Sequence, residues 1–259
     1  MSTKSLIPVG IRNQFRDYKR QKKVKKYKGN AVLCVICKHE FSAFAPFGLK
    51  AKKRQNAQCH NCGSLERHRI LWKYLHDELS LFKGDRKLRF LHFAPQIMFY
   101  DLFSKMDHIE YIPCDLFPEK YHYGNGAKVV KVDITAIPFD DNHFDFILCN
   151  HVLEHIPDDA LAMSEMYRVM KKRGGGIFQV PMDYNLKETY EDFSITTPKE
   201  REKAFGRHDH VRWYGQDYGH RLAKAGFQVK EDDYVKQFSA DELFKFGFKK
   251  GEFIYYCSK

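Results

Sequence analysis

Residues 132–181 read VDITAIPFDDNHFDFILCNHVLEHIPDDALAMSEMYRVMKKRGGGIFQVP, and their rhythm decides the fold. Two apolar runs of strand length, FDFILCN (144–150) and GGIFQVP (175–181), flank a helix-patterned segment, PDDALAMSEMYRVMKK (157–172). In that segment Leu161, Met166, Val169 and Met170 recur at helical spacing. Short, continuous apolar runs joined through an amphipathic helix mark strands buried on both faces of a parallel sheet. The same alternation continues outward. Upstream come LRFLHFAP (88–95) as a strand, QIMFYDLFSKM (96–106) as a helix, and IEYIPCD (109–115) and AKVVKVDIT (127–135) as strands. Downstream come a helix through WYGQDYGHRLAKAG (213–226) and two strands, FQVKEDDYV (227–235) and EFIYYCSK (252–259). This order predicts an α/β fold: a doubly wound, mostly parallel sheet with right-handed crossovers. In such sheets ligands bind beyond the carboxyl ends of the strands, where the strand order reverses.

The N-terminal third has a different character. Residues 1–87 hold 21 Lys and Arg against 6 Asp and Glu, so the net charge of +11 is concentrated there. Residues 1–30 form a basic segment with ten Lys or Arg and one acid, Asp17. Such a run attracts polyanions, either RNA or an anionic membrane surface, although charge runs are usually solvated faces. Ile7, Val9, Ile11 and Phe15 leave room there for a weak interfacial helix.

Two Cys-x-x-Cys pairs follow, Cys34–Cys37 and Cys59–Cys62, separated by 21 residues. Each turn can aim two thiolates at one ion, and two turns close a tetrahedral zinc site with no open position. Residues 31–63 are therefore expected to form a small zinc-ribbon-like module with structural Zn2+. The segment SLERHRILWKYLHDELSLF, with Ser64 as its cap, predicts a helix; Arg67, His68 and Arg69 are expected on its polar face or against a phosphate or carboxylate. Cys114, Cys149 and Cys257 fall in apolar runs and give no disulfide framework. That usage suits a reducing, cytoplasmic setting. No stretch reaches the roughly 20 apolar residues of a transmembrane segment, and no signal-peptide core follows the basic N-terminus.

The motif order of residues 88–259 resembles class I S-adenosylmethionine-dependent methyltransferases, closely the type 11 group, on the residues 132–181 quoted above. The cysteine module leading through NCGSLERHRILWKYL to LHFAP is similar to a set of poorly characterised bacterial methyltransferase-like proteins. The resemblance implies a Rossmann-like domain over 64–259 with S-adenosyl-L-methionine as cofactor and a lid at about 182–212. Asp115, ending its strand, would accept hydrogen bonds from the ribose hydroxyls. Asp133 would hold the adenine amino group beside Ile134, with Phe139 lining the adenine pocket and Asn150 and His151 at the mouth. The first loop departs from the family's glycine-rich form: it reads His92-Phe93-Ala94-Pro95, with His92, Ala94 and Pro95 taking the cofactor-binding positions.

Methyl transfer from a sulfonium is an in-line displacement, governed by proximity and alignment, and a hydroxyl acceptor gains from a general base. The candidates are His151, His155, His208 and His210, with Arg212 and Tyr214 as groups for a polar acceptor. The 208–210 cluster also has the residue types of a metal site, although hydrogen bonding is the expected use. The expected reaction is methyl transfer to an O or N atom of a small polar, glycan or lipid-precursor acceptor. One alternative is an RNA methyltransferase gripping RNA through the zinc module and basic tail; the Asn-Pro-Pro-aromatic motif of base methylation is absent, since 150–153 reads Asn-His-Val-Leu. A second is a zinc-stabilised binding protein without catalysis.

Overall fold

The computed structural model describes residues 9–48, 53–84, 86–123 and 128–259. They form two compact units. The first takes the described residues through 84 together with 122–123 and 233–253; the second takes 86–121, 128–232 and 254–259. Ile7 lies outside the described residues. Among those residues, no helix is long and apolar enough to cross a membrane.

In the first unit a basic helix, α1 (Val9–Lys26), leads into β1 (Lys28–Leu33), which pairs antiparallel with β2 (Glu40–Phe41). A second antiparallel pair joins β3 (Ala45–Phe47) to β4 (Arg54–Gln58). The two cysteine turns repeat one geometry. Lys38 N–H donates to the Cys34 carbonyl at 2.8 Å, and Gly63 N–H donates to the Cys59 carbonyl at 3.1 Å. Lys38 and Gly63 both take the left-handed conformation that closes such a knuckle (φ 59° and 75°).

The chain continues as α2 (Glu66–Lys73) and a π-helical turn, Tyr74–Glu78. Leu65 is the N-cap, with its N–H donating to His68 Nδ1 at 3.2 Å. Ser64 was expected there; its hydroxyl is instead drawn among the cysteine sulfurs, 3.4 Å from Cys34 Sγ and 3.2 Å from Cys62 Sγ.

The second unit is built on a seven-stranded sheet. Its strands are β5 (Leu88–Phe93), β6 (Ile109–Asp115), β7 (Val130–Lys131), β8 (Phe144–Asn150), β9 (Met170–Gln179), β12 (Gln228–Asp232) and β13 (Ile254–Ser258), ordered β7-β6-β5-β8-β9-β13-β12. Only β13 runs against its neighbours. Helices α3 (Ile97–Phe103), α4 (Asp159–Val169), α5 (Pro198–Phe205) and α6 (Tyr218–Lys224) connect the strands, and a separate ladder pairs β10 (Tyr190–Glu191) with β11 (Arg212–Trp213). The sheet is Rossmann-like and doubly wound, as its sequence pattern predicts. All seven residues of β8 are buried, so burial on both faces explains its unbroken apolar run. Strand order reverses where β8 leaves β5 on the side opposite β6, which puts the ligand position at the ends of these three strands.

Two elements depart from the expected bounds. The third strand shrinks to Val130–Lys131, because Asp133 Oδ1 accepts the Thr135 N–H at 2.9 Å and hydroxyl at 2.7 Å, a local turn that competes with ladder pairing. The helix through 157–172 stops at Val169: Met170 is already extended and pairs with Phe144, so Met170–Lys172 begin β9.

The 64–259 boundary also meets a different partition. Residues 64–84 and 233–253, the latter carrying α7 (Ala240–Phe246), group with the cysteine module. Arg69 explains this, since its Nε and Nη2 donate to the carbonyls of Phe246 and Gly247 at 2.7 and 2.8 Å.

Candidate active site and cysteine centre

The four sulfurs of Cys34, Cys37, Cys59 and Cys62 lie within 4.8 Å of one another, and none is in a disulfide. Cys34–Cys62 and Cys37–Cys59 are each 3.6 Å apart. Four thiolates 2.3 Å from one zinc would have S···S edges of about 3.8 Å, so the donor set fits that ion. His39 and His60 stay outside it, Nδ1 of His39 facing the Cys37 carbonyl and Nε2 of His60 facing that of Ala43.

Arg69 was expected on a polar helix face, yet it is fully buried beneath this centre. Besides the two α7 carbonyls, its Nη1 donates to Ala57 and Ser64 carbonyls, both at 2.9 Å, and the guanidinium sits 4.0 Å over the Phe44 ring. Burial pulls its pKa down, and the negative charge of Cys34, Glu66, Cys59 and Cys62 pushes it back up.

In the second unit a cavity of about 400 Å³ opens at the switch point. Ala94, Asp115, Asp133, Ile134, His151 and His155 line it, together with Phe93, Leu116, Phe117, Lys120, Val132, Val152, Ile156 and Asp209. The loop without glycine still makes the backbone bend that glycine usually supplies: Ala94 has φ 46°, in the left-handed region. Asp115 Oδ1 accepts the Phe117 N–H at 2.8 Å and Oδ2 the Tyr121 hydroxyl at 2.6 Å. A carboxylate has about four acceptor sites, so each oxygen retains one. Hydrogen bonds from Thr135 hold Asp133 below the ordinary carboxylate range.

Other expected residues sit elsewhere. His92 and Pro95 are buried beside the cavity without lining it. His92 packs among Phe90, Phe99, Phe103 and Tyr111, and complete burial pushes its pKa down to about 3. Asn150 is buried at the end of β8, and Phe139 packs on His143 and Phe144 away from the cavity. His208 is exposed and outside the cavity.

Arg212 is 1% exposed and spends its donors on the protein. Nε binds Glu191 at 2.8 Å, Nη1 binds the carbonyls of Leu153 and Ile156, and Nη2 binds that of Pro157 at 2.8 Å. Tyr214 is fully buried, its hydroxyl donating to Asp159 at 2.7 Å. Both therefore brace the turn after β8 and do not face an acceptor.

That turn carries a residue sequence reasoning passed over. Glu154 is buried, and three imidazoles approach its Oε1: His151 Nδ1 at 3.4 Å, His155 Nε2 at 3.8 Å and His210 Nε2 at 4.0 Å. His210 is buried, which lowers its pKa. The i, i+3, i+4 spacing of His151, Glu154 and His155 was the available signal.

Comparison with known proteins agrees with this geometry. Residues 99–178 match the family model described as a methyltransferase domain. Demethylmenaquinone methyltransferase of Staphylococcus carnosus (strain TM300) is 39% identical over 56 residues, which are 22% of this chain and 23% of that protein. The chain thus spans under a quarter of the length of the curated relatives it matches.

Among solved structures, a SAM-dependent methyltransferase from Archaeoglobus fulgidus aligns at TM-score 0.47 and 17% identity, covering 73% of this chain and 93% of that one. The Burkholderia thailandensis 1,6-didemethyltoxoflavin-N1-methyltransferase aligns at TM-score 0.46 and 13% identity, covering 74% and 77%. The match over residues 99–178, which run from α3 into β9, makes this stretch similar to a methyltransferase domain.

Proposed function

We propose that the chain is an S-adenosylmethionine-dependent methyltransferase acting on an O or N atom of a small polar, glycan or lipid-precursor acceptor, with structural zinc at its four cysteines. The observation that carries this reading is the cavity at the switch point, with Asp115 at the end of β6, Asp133 one turn beyond β7, and two imidazoles opposite. The residues fit the cofactor: Asp115 would accept from the ribose hydroxyls, and Asp133, anchored through Oδ1, would offer Oδ2 to the adenine amino group. Ala94 opens the backbone for the methionine end. When bound, the cofactor supplies an electrophilic methyl group.

The protein's part is to align the acceptor and take its proton. His151 is the base in this reading, because Glu154 backs its Nδ1 and would stabilise the imidazolium. Isothermal calorimetry tests the assignment. S-adenosylmethionine should bind the wild type and lose about 10- to 100-fold in affinity in Asp133→Ala, the value of one charge-assisted hydrogen bond. No heat from the wild type at millimolar cofactor refutes it.

RNA as acceptor is the second reading, favoured by α1, where Lys19 and Lys22 sit over the exposed rings of Phe15 and Tyr18. It requires RNA affinity that falls steeply with salt and drops when residues 1–26 are removed. The same helix could instead meet an anionic membrane surface.

A further inference from the structure

We infer that Glu154, His155 and His210 form a second metal site, for a first-row divalent cation, in the wall of the cavity. One ligand atom from each lies within 4.8 Å of the others. The tautomers decide what those atoms are. His155 Nδ1 faces the Asp209 carbonyl at 3.0 Å, and His210 Nδ1 faces the Phe205 carbonyl at 3.2 Å. A carbonyl can only accept, so both Nδ1 atoms carry hydrogen, and Nε2 is the atom that each ring turns toward Glu154.

Glu154 brings a side chain that is 2% exposed, and its Oε2 is buried with no hydrogen-bond partner. The 3.8 and 4.0 Å separations between Nε2 and Oε1 exceed a hydrogen bond. Two Nε2 atoms and a buried carboxylate thus converge without a hydrogen bond joining them, beside His151 Nδ1 at 3.4 Å from Oε1, an arrangement that a cation would hold together. Bonds of about 2.1 Å to one ion set tetrahedral donors about 3.4 Å apart, so the two Glu154 edges of 3.8 and 4.0 Å close by about half an ångström on loading.

The surroundings are those of a metal centre. Each ligating imidazole is oriented by a hydrogen bond from its other nitrogen to a backbone carbonyl. Two imidazoles and one carboxylate suit manganese, iron, cobalt, nickel or zinc, whereas the four thiolates of the first unit select zinc. This centre is not the His208-Asp209-His210 cluster of the sequence: His208 is exposed, and the carboxylate comes from Glu154, 56 residues before His210. His155 and Asp209 line the cavity, so the ion's remaining positions face it and can take an oxygen of the acceptor. That last step rests on the methyltransferase reading and narrows the acceptor to a hydroxyl compound able to ligate a cation, with His151 beside it as base.

The test adds Co2+ to the zinc-loaded full chain and follows its visible bands. We expect one equivalent to bind with the d–d spectrum of nitrogen and oxygen ligands and without the sulfur-to-cobalt charge transfer that exchange into the cysteine centre would give. Affinity should fall at least tenfold in Glu154→Gln and in His155→Ala, while His208→Ala should match the wild type. Circular dichroism establishes that each variant is folded, and the partly exposed His155 serves if Glu154→Gln is not. Absence of nitrogen/oxygen-type binding, or equal binding by the folded variants, overturns the site and leaves protons as its occupants. Calorimetry with S-adenosylhomocysteine on the zinc-loaded chain before cobalt is added separates the two readings: cobalt uptake without its binding would sink the methyltransferase and spare the metal site.

Discussion

Replacing Arg212 by lysine separates a brace from an acceptor-binding group. The guanidinium, on a residue 1% exposed, reaches Glu191, the carbonyls of Leu153, Ile156 and Pro157, and, at 3.8 Å, Asp159. A lysine ammonium keeps the charge but has three donors and no planar fork. Four of those five acceptors are hydrogen-bonded to Arg212, so at least one would lose its donor, while Asp159 keeps Tyr214 and Arg221. At about 1–3 kcal/mol for a bare buried acceptor, the loss is about 2 kcal/mol. For a chain of this size each kcal/mol moves the melting temperature by about 2–4 °C, so R212K should melt about 4–8 °C lower.

Thermal circular dichroism reads this directly. Calorimetry with S-adenosylhomocysteine, well below the melting range, should show nearly unchanged cofactor affinity. A variant with unaltered melting but an acceptor KM raised tenfold would refute the bracing role and return Arg212 to substrate binding.

Arg69→Met should leave the carbonyls of Ala57, Ser64, Phe246 and Gly247 without their donor and the thiolates without a neighbouring cation. Zinc should then pass to a colorimetric chelator faster than from wild type, and equal rates would contradict the coupling. His92 gives a pH dependence of defined sign. The unfolded chain binds a proton near pH 6.5, but the buried imidazole refuses it until about pH 3. Stability from this group is complete above 6.5 and falls by about 1.4 kcal/mol per pH unit between those values. Urea midpoints at pH 7 and 5 should converge in His92→Phe, and an unchanged difference would exclude His92 as its source. Ala94→Gly removes a left-handed alanine that costs about 1 kcal/mol while adding unfolded-chain entropy of similar size. Stability should move by less than about 1 kcal/mol, with S-adenosylhomocysteine binding retained; Ala94→Val should lose both.

The order of the sheet strands, the two cysteine turns and the carboxylate of Asp115 ending β6 were legible in the sequence, because each is a local pattern. Apolar runs, Cys-x-x-Cys spacing and an acid ending a strand need only neighbouring residues to be read. Burial and long-range partnership are not local. In the sequence Arg69 looks like a polar-face residue and Arg212 like a group for a polar acceptor, yet each is buried and holds carbonyls that the chain supplies far away, at 246–247 and at 153–157. The loop at Ala94 looks deficient without glycine, but neighbouring backbone holds it in the left-handed bend through Ala94 N–H to Cys114 carbonyl at 2.9 Å.

The histidines show the division most clearly. The sequence determined that imidazoles follow β8 and β10, but not which of them meet. Folding buries Glu154 and turns His155 and His210 onto it while leaving His208 in solvent, since only the packing of the 205–212 segment over the turn after β8 sets which ring faces inward.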